Sequence, residues 1–309
     1  MKIIVRTNIV LIIVLTIIFK SESLSQIPYD VYTIDTVALK VRSGFTPEDF
    51  IKSTKKDTSF YRAFKNLRVF PHIEESKIWV LDKDADEKAN LKRSSKHFNK
   101  NNYGWIKILS EKTEGKFYKK DGSHNYFTAE MFDKVFFPTD TFFASNTLEN
   151  PYRQKKPKER SKTEKYYEQL KTFMFSPGTG VDGVPLIGNK LDIFSPEMRK
   201  FYDFTVTKVN YLDSIPCYLF ACKRKKEYSE SKVVIQNLET FYDRRTMNII
   251  ARKYQLKDTN PLVTFDIKMD IRLIKIKNEY FPKLIRYDGF WDVPLKKREK
   301  ISFEIKTNL

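Results

Sequence analysis

The clearest pattern in the chain is an alternation of apolar and polar residues over positions 263–273. The apolar members are Val263, Phe265, Ile267, Met269, Ile271 and Leu273, and the charged residues between them are Asp266, Lys268, Asp270 and Arg272. Because successive side chains of a strand point to opposite faces, the alternation predicts a long antiparallel strand with one dry face and one wet face.

Shorter patterns of the same kind surround this strand in the last third of the chain. They predict further strands over 201–209, 216–223, 232–242, 247–256, 280–287 and 301–305. Short turns separate these segments, as is typical of antiparallel neighbours. The last third is therefore predicted to be a meander that curls around its apolar face.

The first half mixes helical and extended patterns. The run Thr46-Pro47-Glu48-Asp49 is typical of a helix N-terminus, and apolar residues at spacings of three and four predict one helix over 46–68. After it, the pattern predicts strands over 73–81, 103–109, 116–119 and 125–127, a helical turn over 128–133 and a helix over 162–174. The strands 116–119 and 125–127 are predicted to form a hairpin around Asp121-Gly122.

The N-terminus indicates export. Lys2 and Arg6 precede an apolar stretch of 11 residues from Ile9 to Phe19, and small residues follow at Ser23 and Ser25. This order is that of a cleavable signal peptide over residues 1–25. A retained membrane anchor is the alternative, but the stretch is shorter than the ~20 residues that cross a bilayer. We expect a single mature domain over 26–309.

Charge points to an anionic partner. The chain has 57 Lys and Arg residues against 39 Asp and Glu residues, a formal charge of +18. Nucleic acid, acidic glycans and anionic lipid surfaces all attract such a protein, and export argues against nucleic acid. Seven of the cations and two prolines fall in 150–165, and this segment is predicted to be a linker or a long exposed loop. Its positive charge either keeps the protein soluble or forms a recognition patch.

Motifs that carry chemistry are missing from the sequence. Gly178-Thr-Gly180-Val-Asp-Gly183 matches a dinucleotide fingerprint in letters only, because no strand precedes it and Pro185 follows it. His72, His97 and His124 have no metal-site spacing, so we expect ordinary surface or turn residues and no metal or cofactor. Cys217 and Cys222 lie five residues apart on one predicted strand, too far for a disulfide, and are expected to be unpaired core thiols.

The aromatic content is the remaining unusual feature. The chain has 25 Phe, 17 Tyr and 3 Trp residues, which could either pack a sheet against helices or line a cavity for a lipid chain. For the second case, the side chains predicted to line the cavity are Phe204, Val206, Phe265, Ile267, Met269 and Ile271. Phe204 and Val206 are expected on a strand neighbouring the long one.

Three stretches resemble a known family. Phe201-Tyr-Asp-Phe-Thr-Val-Thr207 through Ile215-Pro-Cys-Tyr-Leu-Phe220 resembles its paired strands, and Phe241-Tyr-Asp-Arg-Arg-Thr246 resembles its hairpin. Tyr280-Phe-Pro282 resembles its return into the next strand, with Phe in place of Leu. The order of elements over 46–306 is similar to that of the periplasmic lipoprotein-carrier (LolA/LolB-like) superfamily. The resemblance implies an α+β fold, with an open, strongly curved antiparallel half-barrel and helices covering its concave face.

The expected function follows from export, aromatic content and this resemblance together. We expect a non-enzymatic periplasmic protein that binds a lipid or an acylated protein in cell-envelope biogenesis. The alternative is an envelope scaffold or interaction protein whose basic surface, including Lys223-Arg-Lys-Lys226 and Lys296-Lys-Arg298, docks on an anionic surface. An unrecognised hydrolase would instead need a polar cleft with convergent carboxylates or hydroxyls.

Overall fold

The computed structural model describes residues 44–82, 84–144, 177–178, 188–260, 263–292 and 298–309. The predicted signal peptide (1–25), the basic loop (150–165) and the predicted helix over 162–174 lie outside the described residues. The glycine-rich segment that follows Gly178, residues 179–183, also lies outside the described residues.

The first predicted helix is in fact two helices, α1 (Pro47–Lys56) and α2 (Ser59–Val69). α1 begins as expected, with a capping box in which the Thr46 amide donates to the Asp49 carboxylate at 2.8 Å. The prediction of one helix over 46–68 is wrong because Asp57 is extended and ends α1. Its carboxylate accepts a hydrogen bond from the Ser59 amide at 3.1 Å and so helps to start α2.

The first half of the sheet consists of four strands and one covering helix. The elements in chain order are β1 (His72–Leu81), β2 (Glu87–Lys100), β3 (Tyr103–Gly115), α3 (Phe127–Phe136) and the two-residue β4 (Phe142–Phe143). β2 was not predicted. The hairpin strands predicted over 116–119 and 125–127 are wrong, because only one isolated bridge, Tyr118 to His124, joins them. The turn itself is present, with Gly122 at φ +80°.

The second half is the predicted meander. Gly188–Leu191 forms a 3₁₀ turn and the four-residue α4 (Pro196–Arg199) follows it; another 3₁₀ turn, Glu230–Lys232, precedes β7. The strands are β5 (Tyr202–Tyr211), β6 (Ile215–Arg224), β7 (Ile235–Asp243), β8 (Ile249–Asn260), β9 (Val263–Ile276), β10 (Glu279–Asp292) and β11 (Glu299–Asn308). Each pairs antiparallel with the next, so the meander is confirmed.

The two halves join through β1 and β11. The strand order is β4-β3-β2-β1-β11-β10-β9-β8-β7-β6-β5, and among the strands that the structure describes β4 and β5 do not pair with each other. The sheet is therefore open and curved rather than a closed barrel. α1, α2 and α3 cover its inner face, which confirms the predicted α+β half-barrel.

The two cysteines are free and buried, as expected. Cys222 belongs to the main core on the inner face, whereas Cys217 lies in a smaller apolar cluster with Leu219 and Phe241 on the other face. Burial raises the pKa of the Cys217 thiol to about 11. Burial raises the pKa of the Cys222 thiol as well, so neither thiol is a reactive thiolate at neutral pH.

Candidate functional site

The side chains predicted to line a cavity all lie on the inner face. Phe265, Ile267, Met269 and Ile271 of β9 are at most 3% exposed and belong to the main apolar core. Val206 is buried and Phe204 is partly buried against the same core. The structure thus places all six on one continuous apolar surface.

Two details of this prediction need correction. Phe204 and Val206 lie on β5, at one edge of the sheet, whereas the neighbours of β9 are β8 and β10. The wet face of β9 is also drier than expected, since Asp270 is only 8% exposed. Lys253 and Arg286 lie opposite Asp270 in the strand register, and Arg272 approaches its carboxylate at 3.2 Å, so long basic side chains cover it.

Aromatic rings join the helices to the inner face. Phe132 of α3 lies 4.3 Å from Phe303 and 4.7 Å from Tyr287, measured between ring centroids. Phe50 of α1 lies 5.0 Å from Tyr242 and 5.8 Å from Phe220. Such pairs add to the stabilisation from apolar burial. Aromatic side chains of α1 and α3 thus pack these helices against the inner face of the sheet.

Polar contacts tie α1 and α2 to the sheet at separate points. The Thr54 hydroxyl of α1 lies 2.7 Å from the Tyr242 hydroxyl of β7. The Arg252 guanidinium of β8 donates at 3.1 Å to the carboxylate of Asp57, which lies between α1 and α2. In α2, the Asn66 amide donates to the Tyr280 carbonyl at 2.9 Å. Burial raises the pKa of Tyr242, so its hydroxyl stays protonated and available for this bond.

A buried arginine holds α3. The Arg93 guanidinium of β2 donates to both carboxylate oxygens of Asp133 in α3, at 2.7 and 3.0 Å, and to Glu111 of β3 at 2.6 Å. His124 approaches Asp133 at 2.9 Å, and the Glu299 carboxylate accepts the first amides of α3. We call the Arg93–Asp133 pair the α3 latch.

The inner face becomes polar where β1 meets β2. His72 and Glu74 of β1 and His97 of β2 are each at most 5% exposed, and His72 pairs with His97 in the strand register. The two Glu74 oxygens lie 3.2 Å from His72 Nε2 and 2.9 Å from His97 Nε2. Burial would raise the pKa of Glu74, but the two imidazoles outweigh it and hold this pKa at about 2.

The interpretation of His72 and His97 as surface or turn residues is therefore wrong, whereas His124 does lie beside the Asp121-Gly122 turn. His72 and Glu74 are two apart on one strand and so share a face, which the sequence could have revealed. His97 could not be placed because β2 was not predicted. One ligand atom from each of His72, Glu74 and His97 lies within 4.8 Å of the others, which makes these three residues a candidate metal-binding set.

Solved structures with distant similarity to this chain include three bacterial proteins. A DUF1329 family protein from Desulfovibrio piger has a TM-score of 0.24 and 11% identity, with 84% of this chain and 91% of that chain covered. An outer membrane lipoprotein-sorting protein domain from Vibrio parahaemolyticus has a TM-score of 0.26 and 8% identity, with 84% of this chain and 88% of that chain covered. A LolA superfamily protein from Nitrosomonas europaea has a TM-score of 0.22 and 9% identity, with 82% of this chain and 94% of that chain covered.

Neither a protein-family model nor a curated protein matches the chain. Among the described residues, no helix is long and apolar enough to cross a membrane.

Proposed function

We propose that this protein is exported to the periplasm and binds an amphiphilic or acylated ligand between the inner face of its sheet and the covering helices. The observation that carries the proposal is the continuous apolar inner face of an unclosed sheet, which runs from Val206 on β5 through β9 to Ile78 on β1. A binding role fits this surface better than a catalytic one, because its central strands present apolar side chains.

The ligand site is proposed at the six inner-face residues Phe204, Val206, Phe265, Ile267, Met269 and Ile271. In the described structure this surface packs against other side chains of the main core, so an acyl chain has to replace some of those contacts. The contacts to be replaced are mainly apolar, and an acyl chain of similar polarity compensates for their loss. The polar ties that hold α1, α2 and α3 to the sheet, among them the α3 latch, then set the cost of admitting the ligand.

This mechanism predicts that weakening the α3 latch increases binding of an acyl-chain probe. Asp133→Asn removes the carboxylate charge that pairs with the Arg93 guanidinium, so α3 should separate from the sheet more readily. The measurement is a titration of the full chain with a fatty acid that carries an environment-sensitive fluorophore. Asp121→Asn is the matched control, because Asp121 is an exposed turn residue that bonds only locally to Ser123.

The proposal expects saturable probe binding by the wild type, tighter binding by Asp133→Asn and no change in Asp121→Asn. Probe that fails to bind either the wild type or Asp133→Asn would contradict it. Equal gains in both variants would show that the probe senses general loosening rather than the movement of α3.

A second candidate function, docking on an anionic envelope surface, is favoured by exposed cations at the end of β6. Lys223 and Lys226 are both exposed there. Attraction of this kind is screened by salt, so binding to anionic vesicles should fall steeply with ionic strength. Binding that is independent of salt would remove this candidate.

A further inference from the structure

Three side chains on the inner face meet in a geometry that their own hydrogen bonds do not explain. Nδ1 of His72 lies 2.7 Å from the Phe70 carbonyl oxygen, and a carbonyl can only accept, so Nδ1 carries a proton. Nε2 of the same ring lies 3.2 Å from a Glu74 oxygen, so a cation, either a proton or a metal ion, is needed between these two atoms.

Unpartnered atoms gather at the same place. Among the described residues, His72 Nε2, Glu74 Oε2 and both ring nitrogens of His97 are buried without a hydrogen bond of acceptable geometry. Buried polar atoms are normally paired, and exceptions need a reason such as an ion or a water molecule. Four such atoms on three adjacent residues form a set of potential ligand atoms, distinct from the apolar surface proposed to bind an amphiphile.

We propose that His72, Glu74 and His97 bind a divalent transition-metal ion, with Zn²⁺ as the best match. Zinc binds imidazole nitrogen at about 2.0–2.1 Å and carboxylate oxygen at about 2.0–2.2 Å in tetrahedral sites. Ligand atoms at these distances lie slightly more than ~3 Å apart, close to the 2.9 and 3.2 Å between the imidazoles and Glu74. Mg²⁺ and Ca²⁺ prefer all-oxygen sites and are poor matches.

The surroundings supply the rest of such a site. A cavity of about 10 Å³ is lined by Glu74 and His97, enough for the one water molecule that would complete four ligands. The Phe70 carbonyl orients His72 in the way that second-shell acceptors orient metal-binding histidines.

One side chain has to move on binding. The imidazoles of His72 and His97 are stacked, with centroids 4.2 Å apart and planes 24° apart, so one ring must turn to place a single ion in both ring planes. His97 is the ring that can turn, since neither of its nitrogens is engaged in a hydrogen bond of acceptable geometry. The bound ion would then link β1 to β2 next to Leu67 of α2 and Val135 of α3, which line the same cavity.

The test uses the full chain without a histidine tag, stripped of metal and titrated with Zn²⁺ in a calorimeter. We expect one ion per chain and a rise in the unfolding temperature that grows with Zn²⁺ concentration, with no rise for Mg²⁺. Co²⁺ should give the visible absorption of a tetrahedral nitrogen and oxygen site. His97→Gln and Glu74→Gln should each weaken Zn²⁺ binding by ~100-fold or more, because loss of even an outer-shell partner costs roughly 10–100-fold.

The matched control is His124→Gln, which removes an imidazole that also faces a carboxylate but lies outside the cluster. It should keep wild-type affinity. The proposal is overturned if the wild type binds no Zn²⁺, if His97→Gln and Glu74→Gln bind as tightly as the wild type, or if His124→Gln abolishes binding. If the two ligand variants do not fold, the wild-type Co²⁺ spectrum decides, and a spectrum of the hydrated ion refutes the site. None of these outcomes depends on whether an amphiphile binds.

Discussion

Ile267 and its sequence neighbour Lys268 offer a sharp test of the inner face. Ile267 is 3% exposed and lies opposite Leu256 of β8 and Gly289 of β10 in the register. Ile267→Ala removes three buried carbons, worth ~0.8 kcal/mol each by transfer, and leaves a cavity. Gly289 cannot fill the gap, because it has no side chain and even a Cβ there would lie 2.5 Å from the Asp266 carbonyl oxygen. We therefore expect a loss of about 3–4 kcal/mol in the free energy of unfolding.

Lys268→Ala is the matched control one position away on the same strand. Its side chain is exposed, so the expected change is within about 0.5 kcal/mol. The assay is urea unfolding of the full chain followed by circular dichroism, with equal m-values confirming that the midpoints are comparable. Equal midpoint shifts in the two variants, or a larger shift for Lys268→Ala, would show that the assignment of faces along β9 is wrong.

Three further predictions concern the ties and buried groups. Tyr242→Phe should lower the free energy of unfolding by about 1 kcal/mol, because it removes the hydroxyl contact with Thr54. A double-mutant cycle with Thr54→Val should show a coupling energy between the two residues. Losses that simply add would contradict the contact. Because the pKa of Glu74 falls from 4.5 unfolded to about 2 folded, Glu74 stabilises the fold above pH 4.5, and this contribution is lost as pH falls toward 2. Unfolding midpoints measured across this range should decline less in Glu74→Gln than in the wild type, and parallel curves would refute the assignment. Cys217 and Cys222 should resist a thiol reagent in the folded protein and react fully in urea, and fast labelling of the folded chain would show that they are accessible.

Regular patterns made the second half of the fold predictable. β9 could be read directly because one face is apolar and the other charged, and its inner residues are indeed buried. The pattern failed for β2, whose inward positions include Arg93, Ser95 and His97. Polar side chains on the buried face of a strand remove the period-two signal on which the prediction depends.

Contacts distant in sequence explain the other differences. The break between α1 and α2 rests on Asp57, which also binds Arg252 at 3.1 Å, 195 residues away. The pairing of β1 with β11 joins opposite ends of the described chain, and no local pattern encodes it. The same holds for the cluster of His72, Glu74 and His97, because His97 lies beside Glu74 only when β2, which was not predicted, pairs with β1. The inward positions of the apolar surface were predictable from the local patterns of β5 and β9, whereas the polar part needed the strand pairing of the sheet.

The proposal of a bound amphiphile is tested most directly by native mass spectrometry of the full chain purified from the cell envelope without detergent exchange. The proposal predicts a species heavier than the bare chain, whose extra mass is released by organic solvent and identified as a molecule with an acyl chain. A single species at the mass of the bare chain, unchanged after incubation with envelope lipid extract, would contradict it.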